Sequence, residues 1–226
     1  MDAIETISAS ITRDLNKINT VSQNTSNVSS NGFKSLLVNN ELNNHLQPLA
    51  KVLNLTQGAL KQTGRSLDLA LQGNGFFAVK QGGEIYLTRN GSFRVGADGY
   101  LLTQAGERVQ GRNGDIDISG GRIEVMANGI ITVEGQERNS FLMINPPAKI
   151  RPSDVRGDKI YLNEAKGLSI DEKTQIKQGF LESSNVDSAR EMLLLMETSR
   201  HVQTMQKSLQ AYEQIMNKTV TELGKK

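Results

Sequence analysis

No cysteine occurs in this sequence, which removes a disulfide framework, a thiolate metal site and a cysteine nucleophile together. Tryptophan is absent too, and aromatic residues make up 4% of the chain, too few to line a large aromatic pocket. An excess of one charge is also missing. The 26 basic residues against 24 acidic ones leave a net charge of +2, far from the basic stripe that a phosphate backbone requires, so no nucleic-acid partner is expected. No run of about twenty apolar residues appears, so neither a transmembrane helix nor direct membrane insertion is expected. The N-terminal apolar residues are spaced rather than contiguous and no small-residue cleavage site follows them, so a cleaved signal peptide is not expected either. A hydrophobic share of 37% in 226 residues suffices for one modest core.

The two ends of the chain do have a strong pattern. Ile4, Ile7, Ile11, Leu15, Ile18 and Val21 recur at steps of three and four, which predicts a helix from Met1 to about Val28 with one narrow apolar stripe. Asn31-Gly32 should end it. Between Ser188 and Leu223, Leu195, Val202, Leu209 and Met216 alternate with Thr198, Met205, Tyr212 and Thr219 as a heptad seam. That helix would be a rod of roughly 55 Å at 1.5 Å per residue, capped by Asn185 or Ser184 and ending at Gly224. A narrow stripe cannot hold a helix alone, so both ends should bury theirs against partners. The expected assembly interface is Ile4, Ile7, Ile11, Leu15 and Ile18 with Leu195, Val202, Met205, Leu209, Tyr212 and Met216. The bland alternative is an antiparallel helix pair within one chain. Met192, Met196, Met205 and Met216 could form an adaptable binding surface, but on a seam too long for one small β domain to cover they are expected at the subunit interface.

Between the helices the pattern changes to short β-type runs cut by turn dipeptides. Leu67, Leu69 and Leu71 alternate with Asp68 and Ala70, and Phe76–Val79, Ile85–Thr88, Phe93–Val95, Tyr100–Thr103, Ile116–Ile118, Ile123–Met126, Ile130–Val133 and Phe141–Ile144 follow. Gln81-Gly82-Gly83, Asn90-Gly91, Asp98-Gly99 and Asn128-Gly129 read as tight turns needing positive φ. The expected fold class is α+β, a central antiparallel all-β domain flanked by long terminal helices forming a coiled-coil-like domain. Its boundaries are 1–32 for the first helix, 33–65 for an extended connector, 66–180 for the β domain and 181–226 for the last helix. Ser153–Lys177 reads as loop.

Candidate chemistry is thin. Gly73-Asn74-Gly75-Phe76-Phe77-Ala78 has the loose spacing of a dinucleotide fingerprint, yet β-type sequence follows it, so a turn or bulge is the better reading. His45 and His201 stand without ligands at metal spacing, and Asp115-Ile116-Asp117 lacks the rest of a calcium loop. Ser66, Ser92 and Ser140 lack a nucleophile elbow. The sequence predicts no catalytic residue, no metal site and no cofactor.

Three separated stretches carry a resemblance. Ser22 to Lys34, with Asn24, Asn27, Gly32 and Phe33, leads from an Asn-rich helix end into Gly-Phe-Lys. Leu67 to Phe77, with Gly73, Gly75 and Phe76, and Tyr86 to Phe93, with Thr88, Arg89 and Gly91, form the middle stretch. Gly179 to Asn185, with Ser184 and Asn185 and then Val186, enters the last helix. In order and spacing these stretches resemble the axial proteins of the bacterial flagellum, its rod and hook subunits. The departure is Thr25-Ser26, where that family usually has apolar and small residues. The resemblance implies a structural subunit of the basal-body rod, exported by the flagellar export apparatus without a cleaved signal. Such a subunit polymerises helically with other rod subunits through its terminal helices. The short connector is more similar to proximal than to distal rod subunits, and the distal position is the alternative. The competing class is a β-domain binding module that its helices merely oligomerise.

Overall fold

A computed structural model describes residues 3–39, 50–147, 150–162 and 169–223. His45, Pro48 and Gly224 to Lys226 lie outside the described residues. The chain divides into two compact units, one of Met1–Ser26, Leu36–Val52 and Asp187–Lys226, the other of Asn27–Ser35 and Leu53–Val186.

The first unit is mainly helical. Helix α1 (Ala3–Ser26) precedes two short paired strands, β1 (Leu36–Asn39) and β2 (Ala50–Leu53), and α2 (Ser188–Leu223) closes the unit. At the end of α1, the Thr25 and Ser26 hydroxyls donate to the carbonyls of Val21 and Ser22, both at 2.8 Å, so these residues seal their own helix turn. Helix α2 starts at the expected residue but with another cap. The Asp187 carboxylate accepts the Arg190 N–H at 3.2 Å, as an N-cap does. Asn185 is engaged elsewhere.

The helices run antiparallel, since Asn24 meets Glu191 while Asp14, ten residues earlier, meets His201, ten residues later. Thr20, Val21 and Asn24 of α1 and Glu191, Thr198 and Val202 of α2 are buried.

The second unit is a mainly antiparallel β domain. In chain order its strands are β3 (Leu60–Gln62), β4 (Leu69–Gln72), β5 (Phe76–Gln81), β6 (Glu84–Thr88), β7 (Phe93–Val95), β8 (Leu101–Thr103) and β9 (Arg108–Gly111). Then come β10 (Gly114–Asp115), β11 (Ile123–Val125), β12 (Ile130–Val133), β13 (Gln136–Ser140), β14 (Met143–Ile144), β15 (Val155–Arg156), β16 (Lys159–Tyr161), β17 (Gln175–Gln178) and β18 (Phe180–Glu182). The largest sheet runs β15-β16-β6-β5-β9-β8-β7, with β10 added to β9 and β14 to β5. Strands β11, β12 and β13 form a second sheet, while β17 pairs with β4 and β18 with β3. Leu69, Leu71, Phe77, Val79, Phe93, Val109, Ile131, Phe141 and Ile176 make the core, where Phe77 meets Phe93 edge to face at 5.1 Å.

Two local readings change. Asn90-Gly91 is not a hairpin turn, because β6 pairs with β5 and β16 while β7 pairs with β8. Gly91 lacks positive φ. Its bareness answers another need, since a Cβ there would lie 1.7 Å from the Leu69 carbonyl oxygen. Residues 153–177 are also not one loop. They contain β15, β16 and the start of β17, anchored by buried Val155, Ile160 and Ile176.

The outer edge of β11 is closed by a side chain. The Gln178 amide accepts from Val125 N–H at 3.2 Å and donates to the Ile123 carbonyl at 3.1 Å, matching the groups a neighbouring strand would offer.

Candidate functional site

The apolar residues of the two helices divide by burial. Of the expected interface, Val202 is buried, while Ile7, Ile11, Ile18, Leu195, Met205, Leu209 and Tyr212 are half-buried. Ile4, Leu15 and Met216 stay exposed. The seam is thus partly occupied by the pairing of α1 with α2. A second apolar patch is exposed: Met192, Leu193 and Met196 are 54%, 68% and 52% exposed. At 3.6 residues per turn these three lie away from the Thr198 and Val202 side of α2. Met192 and Met196 are legible among the helix methionines, whereas Leu193 does not stand out because the heptad seam is the stronger signal.

Asn24 is the polar hub of the helical unit. Its amide accepts from Leu36 N–H and donates to the Leu36 carbonyl and to Glu191, each at 2.9 Å. Burial pushes the Glu191 carboxyl above its usual range, against the hydrogen bond from Asn24. The other Glu191 oxygen is buried without a hydrogen-bond partner.

Gly32 and Arg89 of the motif, together with Lys34, meet inside the β unit at Glu182. Its carboxylate accepts from Lys34 Nζ at 2.6 Å, from Gly58 N–H at 3.0 Å and from Arg89 Nη1 at 3.2 Å. The side chains of Lys34, Arg89 and Glu182 are 4%, 1% and 0% exposed. Lys34 also donates to the Thr56 carbonyl at 2.7 Å, and Arg89 donates to the Gly73 carbonyl while lying over the Phe76 ring. Burial lowers the pKa of both Lys34 and Arg89, and Glu182 pulls each back up. Gly32 donates to the Glu182 carbonyl at 2.7 Å, and with φ +68° its bare Cα packs against the backbone of Arg89 and Asn90.

Asn185 holds the same region. It accepts from Ser35 N–H at 2.7 Å and donates to the carbonyls of Asn54 and Thr56, both at 2.9 Å, while its N–H reaches the carbonyl of buried Phe33. Ser184 accepts from Val186 N–H, and Asn27 from Ser30. Phe93 belongs to the core and Leu67 packs against it, whereas Thr88 is buried beside Asn90 and Asp158. Gly73 and Gly75 fit against Thr174 and Asp171, and β5 follows them rather than a helix that would receive a pyrophosphate. His201 pairs with Asp14 at 2.5 Å. Among the described residues there is no cluster able to hold a metal ion and no helix long and apolar enough to cross a membrane.

Known proteins are similar to this chain in sequence. A family model described as the flagellar hook protein FlgE/F/G D1 domain matches residues 70–133, and one described as the flagellar basal body rod FlgEFG protein C-terminal region matches residues 177–222. The flagellar basal-body rod protein FlgF of Caulobacter vibrioides is 34% identical over 182 residues, which cover 76% of this chain and 71% of the relative. The chain belongs to the flagellar basal-body rod proteins, FlgF type. The rod protein FlgG of Buchnera aphidicola subsp. Acyrthosiphon pisum is 28% identical across 89% of this chain and 92% of its own length. The hook protein FlgE of Borreliella burgdorferi is 46% identical, but over 57 residues only. As a rod protein the chain is structural rather than enzymatic, and its place is the flagellar basal body, in assembly with other axial proteins.

Proposed function

We propose that this rod subunit occupies the proximal rod and polymerises helically through coiled-coil-like contacts of its terminal helices, giving a shaft that carries torque in motility. Delivery is by the flagellar export apparatus, without a cleaved signal peptide. The observation that carries this reading is the exposed apolar patch of α2, Met192, Leu193 and Met196, on the face turned away from the α1 pairing. Exposed Ile4, Leu15 and Met216 extend the unpartnered apolar surface of the helical unit. A head-to-tail contact repeated with a rotation that does not close yields an open helical assembly.

The test is the pair of substitutions Leu193→Glu and Met196→Glu in a strain lacking the native gene. Two carboxylates in an apolar contact are costly to desolvate, while the β unit contains neither residue. The expected result is a normally folded β unit, loss of the subunit from purified basal bodies and loss of swimming. Normal incorporation and motility would show that this patch is not the assembly surface.

A further inference from the structure

We propose that Lys34, Arg89 and Glu182 form a charge-locked clamp that fixes where the chain enters and leaves the β unit, and that rod assembly depends on the geometry so fixed. This inference rests on the rod reading above.

Each of the three stretches that resemble the axial family contributes one charge to the clamp: Lys34 from the first, Arg89 from the second and Glu182 from the third. They come from positions far apart in sequence and meet in a site closed to solvent. The local balance is uneven, with two cations on one carboxylate. A further anion, Asp171, acts on Arg89; its carboxyl is pushed up by burial but held below its usual range by the Thr174 hydroxyl, the N–H groups of Lys173 and Thr174, and the charge of Arg89.

Stability alone is a weak reason for such a cluster, because well-packed apolar residues commonly replace buried ion pairs without loss. What a buried charge set does well is reject alternatives, since any shifted pairing leaves a charge unmatched. Here the segment Gly32–Ser35 can seat in one way only. Lys34 must reach both Glu182 and the Thr56 carbonyl, Gly32 must pass against the Arg89–Asn90 backbone, and Ser35 must meet Asn185. The residues after α1 and those before α2 are thereby fastened to one another and to residues 54–58. For a subunit whose two ends make the contacts between copies, a small freedom at these points would be repeated along the whole rod.

Lys34→Met removes the surplus cation and leaves Arg89 paired with Glu182, so the β unit should keep its melting midpoint. In the full-length chain, amide exchange at Gly32, Ser35 and Asn185 should rise at least tenfold, and recovery of the subunit in basal bodies should fall at least tenfold. Unchanged exchange, or raised exchange with normal recovery, overturns the clamp. A second measurement needs no substitution: in the wild-type chain the amides of Gly32 and Asn185 should exchange together with those of β5. Rapid, independent exchange at Gly32 would overturn the proposal even if Lys34→Met failed to fold. If the wild-type chain itself is missing from basal bodies, it is the rod reading that fails instead.

Discussion

Gly32 and Gly91 are both required by their neighbours, but for different physical reasons. Gly32 combines positive φ with backbone atoms 2.3 to 2.6 Å from any Cβ, whereas Gly91 has an ordinary φ and a carbonyl oxygen in the way. Gly91→Ala should therefore destabilise the β unit by on the order of 3 kcal/mol, although alanine suits the backbone there. An unchanged thermal midpoint would mean that the Leu69 strand can move aside. The asparagines of the motif were legible as a cluster but not in their roles. Asn24 and Asn185 act on backbone groups brought close only by folding, so no local spacing could announce that one serves β1 and the other residues 54–56. Glu191 adds a pH dependence. Its folded-state pKa is raised, so the folded helical unit retains a proton that the unfolded chain has already lost, and stability falls as pH rises through the window just above the ordinary carboxylate range. Glu191→Gln should remove that slope, as followed by helical circular dichroism during melting at several pH values. A slope that persists would assign it to another group.

At the scale of elements, the helices were the most readable parts, since apolar residues repeating at three and four over many turns match the helical period and not the strand's. Their pairing was less readable, because a seam states that it wants an apolar partner and not whose. Val202 lies at the buried part of the seam, so Val202→Asp should cost more than about 2 kcal/mol in the α1–α2 pairing and leave the β unit's melting unaltered. Retention of full helicity would indicate that the pair is held elsewhere. The strands not expected from the sequence, β1, β2, β3, β9, β10, β13, β15, β16, β17 and β18, are two to five residues long and several are strongly polar, as in the Gln136–Ser140 strand. Such strands are defined by hydrogen bonds to neighbours rather than by their own alternation. The strand expected at Leu67 to Leu71 is present as β4, and Leu69, Ala70 and Leu71 are all fully buried, so both of its faces are covered there.

The whole molecule should not melt as one body. The β unit has a well-filled aromatic and aliphatic core, while the helical unit is buried at one end of its seam and open at Ile4 and Met216. Urea unfolding of the dilute chain should show helix loss before β-unit loss, with slow amide exchange at Phe77, Val79 and Val109 and faster exchange in α1 and α2. A single coincident transition would contradict this. The Gln178 amide on the edge of β11 has a further bearing if copies of the subunit join as proposed. Under the proposed function, such a chain has to choose between an ordered assembly through its helices and the disordered stacking that any bare strand invites. By occupying Ile123 and Val125, one glutamine withdraws that second option at its strand, so Gln178→Ala should leave the fold intact yet raise thioflavin-positive aggregation.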